Sequence, residues 1–415
     1  MMFRKPVRLG ACSVLLIMGL CTSTYAQSAV GAGPLTGTLA DIEPTTGVLA
    51  IGPVKVALGV TIREIGYDDN VFDEAESESP KDDFGVAVTP DVSFFSRLRF
   101  VRLSAYAGSE LTYYHQYESE RSVGYSGRAR VDVLLSRVRP FFGLGQTRTR
   151  TRPNGEVDVR ADRIEDEVSG GLAFDLSAHS LLYGSTAISS SEYEEALQDG
   201  VDLSQTLSRD ATSHQLGLKT DLTPLLSVQL YGSYQEDDFP KEPLRNAKGV
   251  AGNASFRFAP EAVVTGIINV SYRDIEYADP GVKPFRGVVG SVALTYPLLE
   301  IGRLTGSYQR GVEYSFDTVD AYYVENSGTL IYTQRLFGEA DLQGKIARSV
   351  FDYSARETEP PHKDTLDTAA GSLGYNLRNR TRIALNYEYA RRRSPTFAER
   401  NYQRRRVFLS WLFAF

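Results

Sequence analysis

The chain has 415 residues, a formal charge of −7, and a composition heavy in tyrosine (24), phenylalanine (20) and glycine (36) with a single tryptophan. An acidic balance of this kind disfavours nonspecific binding to nucleic acid. No stretch approaches about 18 continuous apolar residues, which excludes a helical membrane protein and leaves either a few soluble domains or one large β structure.

At the N-terminus, Arg4, Lys5 and Arg8 form a basic head, Leu9 to Leu20 an apolar run, and Thr24-Tyr25-Ala26 a small-x-small site. That is the layout of a secretory signal peptide, and the run is too short to span a bilayer as a helix. Cleavage is expected after Ala26, which makes 1–26 the signal peptide and Gln27 the first mature residue. A lipid anchor fits less well, because no apolar segment precedes Cys12 and bulky Leu20 stands before Cys21 where a small residue is required. Both cysteines leave with the signal, so the exported chain has no disulfide and is held together by other means. Losing three cations and no anion takes the charge from −7 to −10. Residues 27–53 read as a short periplasmic segment.

From Val54 onward the sequence alternates. Val54, Val56, Leu58, Val60 and Ile62 share one face against Lys55, Ala57, Gly59, Thr61 and Arg63. The rhythm recurs in Val264, Gly266, Ile268, Val270 and Tyr272 against Thr265, Ile267, Asn269, Ser271 and Arg273. Ile383, Leu385, Tyr387 and Tyr389 then oppose Arg382, Ala384, Asn386 and Glu388. Outer-membrane strands alternate lipid-facing apolar residues with lumen-facing polar or small ones over roughly ten residues. Read this way, strands are expected at 54–67, 84–95, 99–114, 122–136, 138–150, 164–177, 180–191, 210–222 and 225–237. Nine more follow at 247–259, 261–275, 285–297, 300–314, 320–334, 337–353, 364–377, 380–393 and 402–415.

Every second connection is short, as at Arg137, Thr223-Pro224 and Asn379, while 68–83, 151–163, 192–209, 238–246 and 354–363 are longer and polar. Short periplasmic turns alternating with long external loops predict an all-β, antiparallel, up-and-down transmembrane barrel over 54–415, with about 18 strands (16–18) and both termini periplasmic. A closed barrel also satisfies every backbone amide in hydrocarbon without an open edge. A soluble sandwich or propeller shows the same alternation, but not the signal peptide, the loop parity or the C-terminus. There Leu409, Trp411, Phe413 and Phe415 fall on one face of the last strand. A terminal aromatic on a final amphipathic strand resembles the signal read by the outer-membrane barrel assembly machinery.

Directly after the first strand, Gly66 is followed by Tyr67-Asp68-Asp69-Asn70-Val71-Phe72, and later by Pro90-Asp91-Val92-Ser93-Phe94. These segments resemble the putative β-barrel porin 2 family, sometimes called EpsL-like. The resemblance implies an outer-membrane location in a Gram-negative bacterium and export of surface or extracellular polysaccharide. Residues 27–53 are too few for the helical periplasmic repeats of other exporters, so a separate periplasmic export protein is implied.

Catalytic and metal signatures are missing, and no cofactor is expected. His115, His179, His214 and His362 fall on separate elements, without HExxH or GxSxG spacing. Gly143-Leu144-Gly145 carries Arg148 where a third phosphate-loop glycine would stand, and reads as strand. In the acidic stretch Asp68 to Asp83, Phe72 occupies an EF-hand ligand position and Asp73 replaces the glycine. A solvated external loop is expected there, with weak divalent-cation bridging to outer-membrane lipid as the alternative.

The polar faces place Lys55, Arg63, Arg102, Arg128, Arg130, Arg257, Arg273, Arg382, Arg404 and Arg406 inward. Glu110, Asp132, Asp175, Glu313, Glu325 and Glu388 join them. A lumen richer in arginine than in acid favours anionic solutes or an anionic polysaccharide; alternatively the arginines pair with the carboxylates and stiffen the wall. No loop reads as long enough to fold inside as a constriction. The expected function is a pore-forming barrel, a conduit for surface polysaccharide. Its rivals are a general diffusion porin for small solutes and a non-transporting structural or adhesive barrel.

Overall fold

The computed structural model describes residues 48–298, 301–317, 320–353, 360–377 and 381–414. The expected signal peptide and Phe415 lie outside the described residues. A short strand β1 (Val48–Ile51) leads into β2 (Val54–Asp68), β3 (Asp83–Leu98), β4 (Val101–Tyr114), β5 (Ser122–Val133), β6 (Val138–Thr151), β7 (Ala161–Asp175) and β8 (Ser180–Tyr193). The next loop holds the two-residue strands β9 (Leu197–Gln198) and β10 (Val201–Asp202) and one helical turn, α1 (Leu203–Thr206). Then come β11 (Arg209–Thr223), β12 (Leu226–Asp238), β13 (Ala247–Phe258), β14 (Thr265–Tyr277), β15 (Phe285–Leu298) and β16 (Gly302–Tyr314). The last are β17 (Tyr322–Arg335), β18 (Ala340–Tyr353), β19 (His362–Leu377), β20 (Thr381–Arg393) and β21 (Tyr402–Ala414).

Each long strand pairs antiparallel with its neighbour, β8 pairs with β11 across the inserted loop, and β21 returns to β2. The result is a closed antiparallel barrel of 18 strands, each overlapping one expected from the alternation. Two starts differ. β14 begins at Thr265 rather than 261, because Pro260 to Val264 belong to the turn. β18 begins at Ala340 rather than 337, because Gly338 takes a left-handed φ of 59° there. Such a φ comes without steric cost only to glycine.

Alternation sorts the two faces. Leu216, Ile346, Leu385, Leu409 and Trp411 stand exposed on the convex side, where lipid covers them. Ser104, Ser271, Ser372 and Asn386 are buried on the concave side. β2 departs from the simple rhythm. Its register with β21 jumps from Ile62↔Trp411 to Ile65↔Leu409, a bulge that leaves Arg63 and Glu64 both engaged with inner-face partners. β1 folds back on β2 from Val48↔Ala57 to Ile51↔Val54. It occupies the stretch of β2 beyond the point where β21 ends, opposite Gly59. The last residues of the expected periplasmic segment are thus strand.

Candidate channel and its loop closure

The packed apolar residues gather at the end of the barrel that carries the long loops. Val157, Ala161, Tyr193, Leu203, Leu207 and Phe316 form one cluster, although they come from β7, β8 and three different loops. Phe239, Phe285, Val312, Tyr314 and Tyr322 anchor another. The loops have therefore left water and folded against each other, as apolar side chains in otherwise polar connections require.

Loop 152–160, between β6 and β7, is the centre of this closure. Asn154 donates to the backbone carbonyl of Tyr314 at 3.2 Å. The Glu156 carboxylate accepts from Ser315 Oγ (2.8 Å) and from the Phe316 amide (3.1 Å). From β20, Arg392 donates to the Glu156 carbonyl at 3.0 Å and pairs with Asp158 (3.0 Å) and Asp364 (3.1 Å). Gln198 receives the Asp158 and Val159 amides at 3.1 Å, and Arg152 pairs with Asp73 at 2.9 Å. Gly155 passes so close to β18 that a Cβ would lie 2.6 Å from the Phe351 ring. One loop is thus tied to β16, β18, β20 and three other loops around the mouth. The expectation that no loop folds inside is overturned. Length alone misled, because a short loop can cross if neighbours come to meet it. The readable signal was Val157 and Phe316 in otherwise polar connections.

Burial pushes the Glu156 carboxyl up to about 7, against the Ser315 hydroxyl and the nearby charges of Arg400 and Arg392, which favour ionisation.

Residues 67–72 turn out to be a latch at the barrel seam. Asp68 pairs with Arg404 of β21, which also holds Asp73 at 3.2 Å. Asp69 exchanges bonds with Arg405, amide to carbonyl at 3.1 Å and carboxylate from amide at 2.6 Å. Asn70 donates to the carbonyls of Glu74 (2.8 Å) and Gln403 (3.0 Å) and accepts from the Glu74 amide. Tyr67 donates to Asp82, Val71 is fully buried, and Phe72 packs edge-on against Tyr117. The first half of the 68–83 stretch, through Ala75, is consequently an ordered brace rather than a solvated loop, while Glu76 to Ser79, Lys81 and Asp82 are exposed as expected. Among the described residues no group of three or more His, Cys, Asp or Glu side chains could hold a metal ion.

The expected channel-lining residues divide in two. Arg102 and Arg130 both reach Asp132, at 3.4 and 2.9 Å, and Arg382 pairs with Asp341 at 2.6 Å. Arg404 is held by Asp68, and Arg406 lies between Glu64 (3.2 Å) and Glu388. Arg63 pairs with Glu110 and Arg139 with Asp175. Arg257 and Arg273 make no ion pair among the described residues, and Nε and Nη1 of Arg273 have no hydrogen-bond partner. Arg128 stands over the Tyr106 ring at 5.6 Å. Between these two arginines the wall is mostly neutral: Asn253 donates to Ser233 (3.1 Å), Asn269 to Ser291 (3.0 Å), and Thr295 pairs with Thr305 (3.0 Å), while buried Glu313 and Asp237 act electrostatically on Arg273. Arg152, Asn154, Glu156, Asp158 and Arg392 were missed because they do their work in loops or at strand ends.

Among solved structures the barrel is similar to OccK2 (OpdF) of Pseudomonas aeruginosa in complex with glucuronate. That match has a TM-score of 0.51 and 10% identity, and covers 86% of this chain and 98% of that one. It is similar also to a BenF-like porin of Pseudomonas fluorescens Pf-5 (0.50, 10%, 87% and 99%) and to OpdK of Pseudomonas aeruginosa (0.50, 9%, 87% and 99%). At such identities the likeness is one of fold alone. No curated protein matches the sequence. The pattern of the family described as "Putative beta-barrel porin 2" matches residues 59–415, and the chain, an outer-membrane β-barrel, belongs to that family.

Proposed function

We propose that this porin is a diffusion channel for small polar solutes, biased toward anions that carry hydroxyl groups. The observation that carries the reading is loop 152–160, tied across the mouth by Ser315, Phe316, Gln198 and Arg392. A mouth crossed in this way suits solutes that thread between loop and wall, not a wide polymer. Arg257 and Arg273 supply the anion bias, since a cation without a carboxylate partner keeps its field. Ser233, Asn253, Asn269 and Ser291 offer hydroxyl and amide groups that can exchange hydrogen bonds with a passing solute. Glucuronate, bound by the OccK2 channel, is a solute of this class. Export of polysaccharide, implied by the family resemblance, gains no support from this geometry. Residues 1–26 act in the same reading as a cleaved signal.

Flux through proteoliposomes and ion selectivity in planar bilayers test the proposal together. Sugar acids of one or two rings should enter faster than neutral sugars of the same size, and long oligosaccharides should be excluded. Replacing Arg257 and Arg273 together with glutamine should reduce anion preference more than replacing ion-paired Arg102 and Arg382. A cation-selective channel, or free passage of long polymer, would overturn it.

A further inference from the structure

The outer surface carries one group of cations that the channel does not use. Along β20 the outward residues run Ile383, Leu385, Tyr387, Tyr389, Arg391 and Arg393. At about 3.3 Å per residue and a tilt near 40°, Arg391 and Arg393 stand roughly 20 and 25 Å above Ile383. An apolar band is about 25 Å tall and bounded by aromatic side chains, so both arginines fall at its external edge, just beyond Tyr387 and Tyr389. Arg405, opposite Tyr389 on β21, joins them.

Several other cations on the outer rim are neutralised. Arg148 pairs with Glu194 (3.1 Å), Arg286 with Asp274 (3.0 Å), Lys248 with Glu236 (2.8 Å) and Arg348 with Asp367 (2.6 Å). Arg391, Arg393 and Arg405 make no ion pair among the described residues; Asp367 stands opposite Arg391, but its single charge is already held by Arg348 and is shared with Arg391 and Arg393, which leaves the cations in excess. Arg391 and Arg393 also line an open groove of about 580 Å³, walled by Pro395, Gln403, Ser77 and Glu76, whose carboxylate accepts from the Gln403 amide. Unpaired guanidinium groups at headgroup height, beside a groove and above an apolar wall, match a ligand with a phosphate on top and acyl chains below.

We infer that Arg391, Arg393 and Arg405 form a binding site for the phosphorylated headgroup of a glycolipid in the outer leaflet. The acyl chains lie along Ile383, Leu385 and Leu409, and the phosphate is held between the three guanidinium groups. The site rests on the outer-membrane placement of the barrel and not on what the channel conducts.

The test is native mass spectrometry of the full folded barrel in detergent, titrated with phosphorylated lipid A and with the same lipid after phosphate removal. Phosphorylated lipid A should bind the wild type at least about tenfold more tightly than the dephosphorylated form. Changing Arg391, Arg393 and Arg405 together to glutamine should abolish that difference, and changing them to lysine should preserve most of it. Arg286→Gln with Lys248→Gln, on the paired rim, should leave it within about twofold. Retention of the heat-modifiable band shows that each variant is folded. Equal binding of the dephosphorylated lipid would overturn the inference. So would an equal loss in the control variant, or competition by inorganic phosphate at the concentration of the lipid.

Discussion

The inner wall has two unlike halves. From β20 round through β2 to β7, arginines and carboxylates face each other in pairs: Arg406 with Glu64 and Glu388, Arg63 with Glu110, Arg130 with Asp132, Arg139 with Asp175. From β12 to β16 the middle of the wall is mostly serine, threonine, asparagine and glutamine, bonded to one another, with Arg257 and Arg273 set among them without an ion pair among the described residues, and with Glu313 and Glu325 at its far margin. A paired arginine contributes rigidity and little net field. An unpaired one in neutral surroundings contributes field and little rigidity. The number of arginines on a porin wall therefore says less about selectivity than which of them lack a carboxylate.

The largest expected difference between the halves is in stability. Arg392 is buried between Asp158 and Asp364, and Asp364 is itself fully buried. Arg392→Gln leaves two carboxylates without their cation and should cost about 3–5 kcal/mol. Arg273→Gln removes a charge that makes no ion pair among the described residues, although Glu313 and Asp237 act on it, and should cost less than about 1 kcal/mol. Urea unfolding in lipid vesicles, followed by heat-modifiability, compares the two. Similar losses would erase the distinction between the walls.

Next in size is the contrast between faces. Leu385→Arg places a charge on the lipid side and should destabilise by roughly 2–4 kcal/mol, while Ser307→Arg on the neutral inner wall should be nearly silent. Asn386, the inward neighbour of Leu385, is a poorer control than its polarity implies. It is buried, and its amide donates to Ser410 Oγ at 2.9 Å and to the Phe408 carbonyl. Equal folding yields for Leu385→Arg and Ser307→Arg in the same vesicle assay would refute the facing.

The strands were legible because a period of two, repeated with alternating short and long connections, leaves few other folds. Inward residues such as Arg102, Arg382 and Glu388 followed from parity alone. Their partners did not. Arg382 reaches past β19 to Asp341 on β18, and it can because Gly374 leaves room: a Cβ there would meet its guanidinium at 2.4 Å. The bulge at Arg63 and Glu64 was equally hidden, since each residue reads as a normal strand position until the register with β21 is known. The 67–72 motif was visible as a pattern, but its role as a latch to Arg404 and Arg405 depends on the last strand closing beside the first. The loop closure joins residues more than 150 positions apart, such as Glu156 and Ser315, and no local pattern encodes that meeting.

The smallest effect, and the one that couples the closure to conditions, is on pH. Glu156 has its carboxyl raised by burial to about 7 when loop 152–160 is docked, against a usual 4.5 when the loop is out in water. The docked loop therefore binds the extra proton between those two values, and protonation favours docking. The contribution is complete below about pH 4.5 and is lost as pH rises through 7, when a carboxylate must be held in a buried site. The Arg400 and Arg392 charges and the Phe316 amide soften that loss without removing it. Single-channel recordings should show the mouth opening more often at pH 8 than at pH 5. Glu156→Gln keeps a carbonyl oxygen for Ser315 or Phe316 but cannot ionise, so its opening should vary less over the same range, the remaining dependence coming from Asp158, whose carboxyl burial raises to about 6. If the glutamine variant tracks the wild-type pH profile, Glu156 does not govern the mouth, and the response belongs to the charged half of the wall.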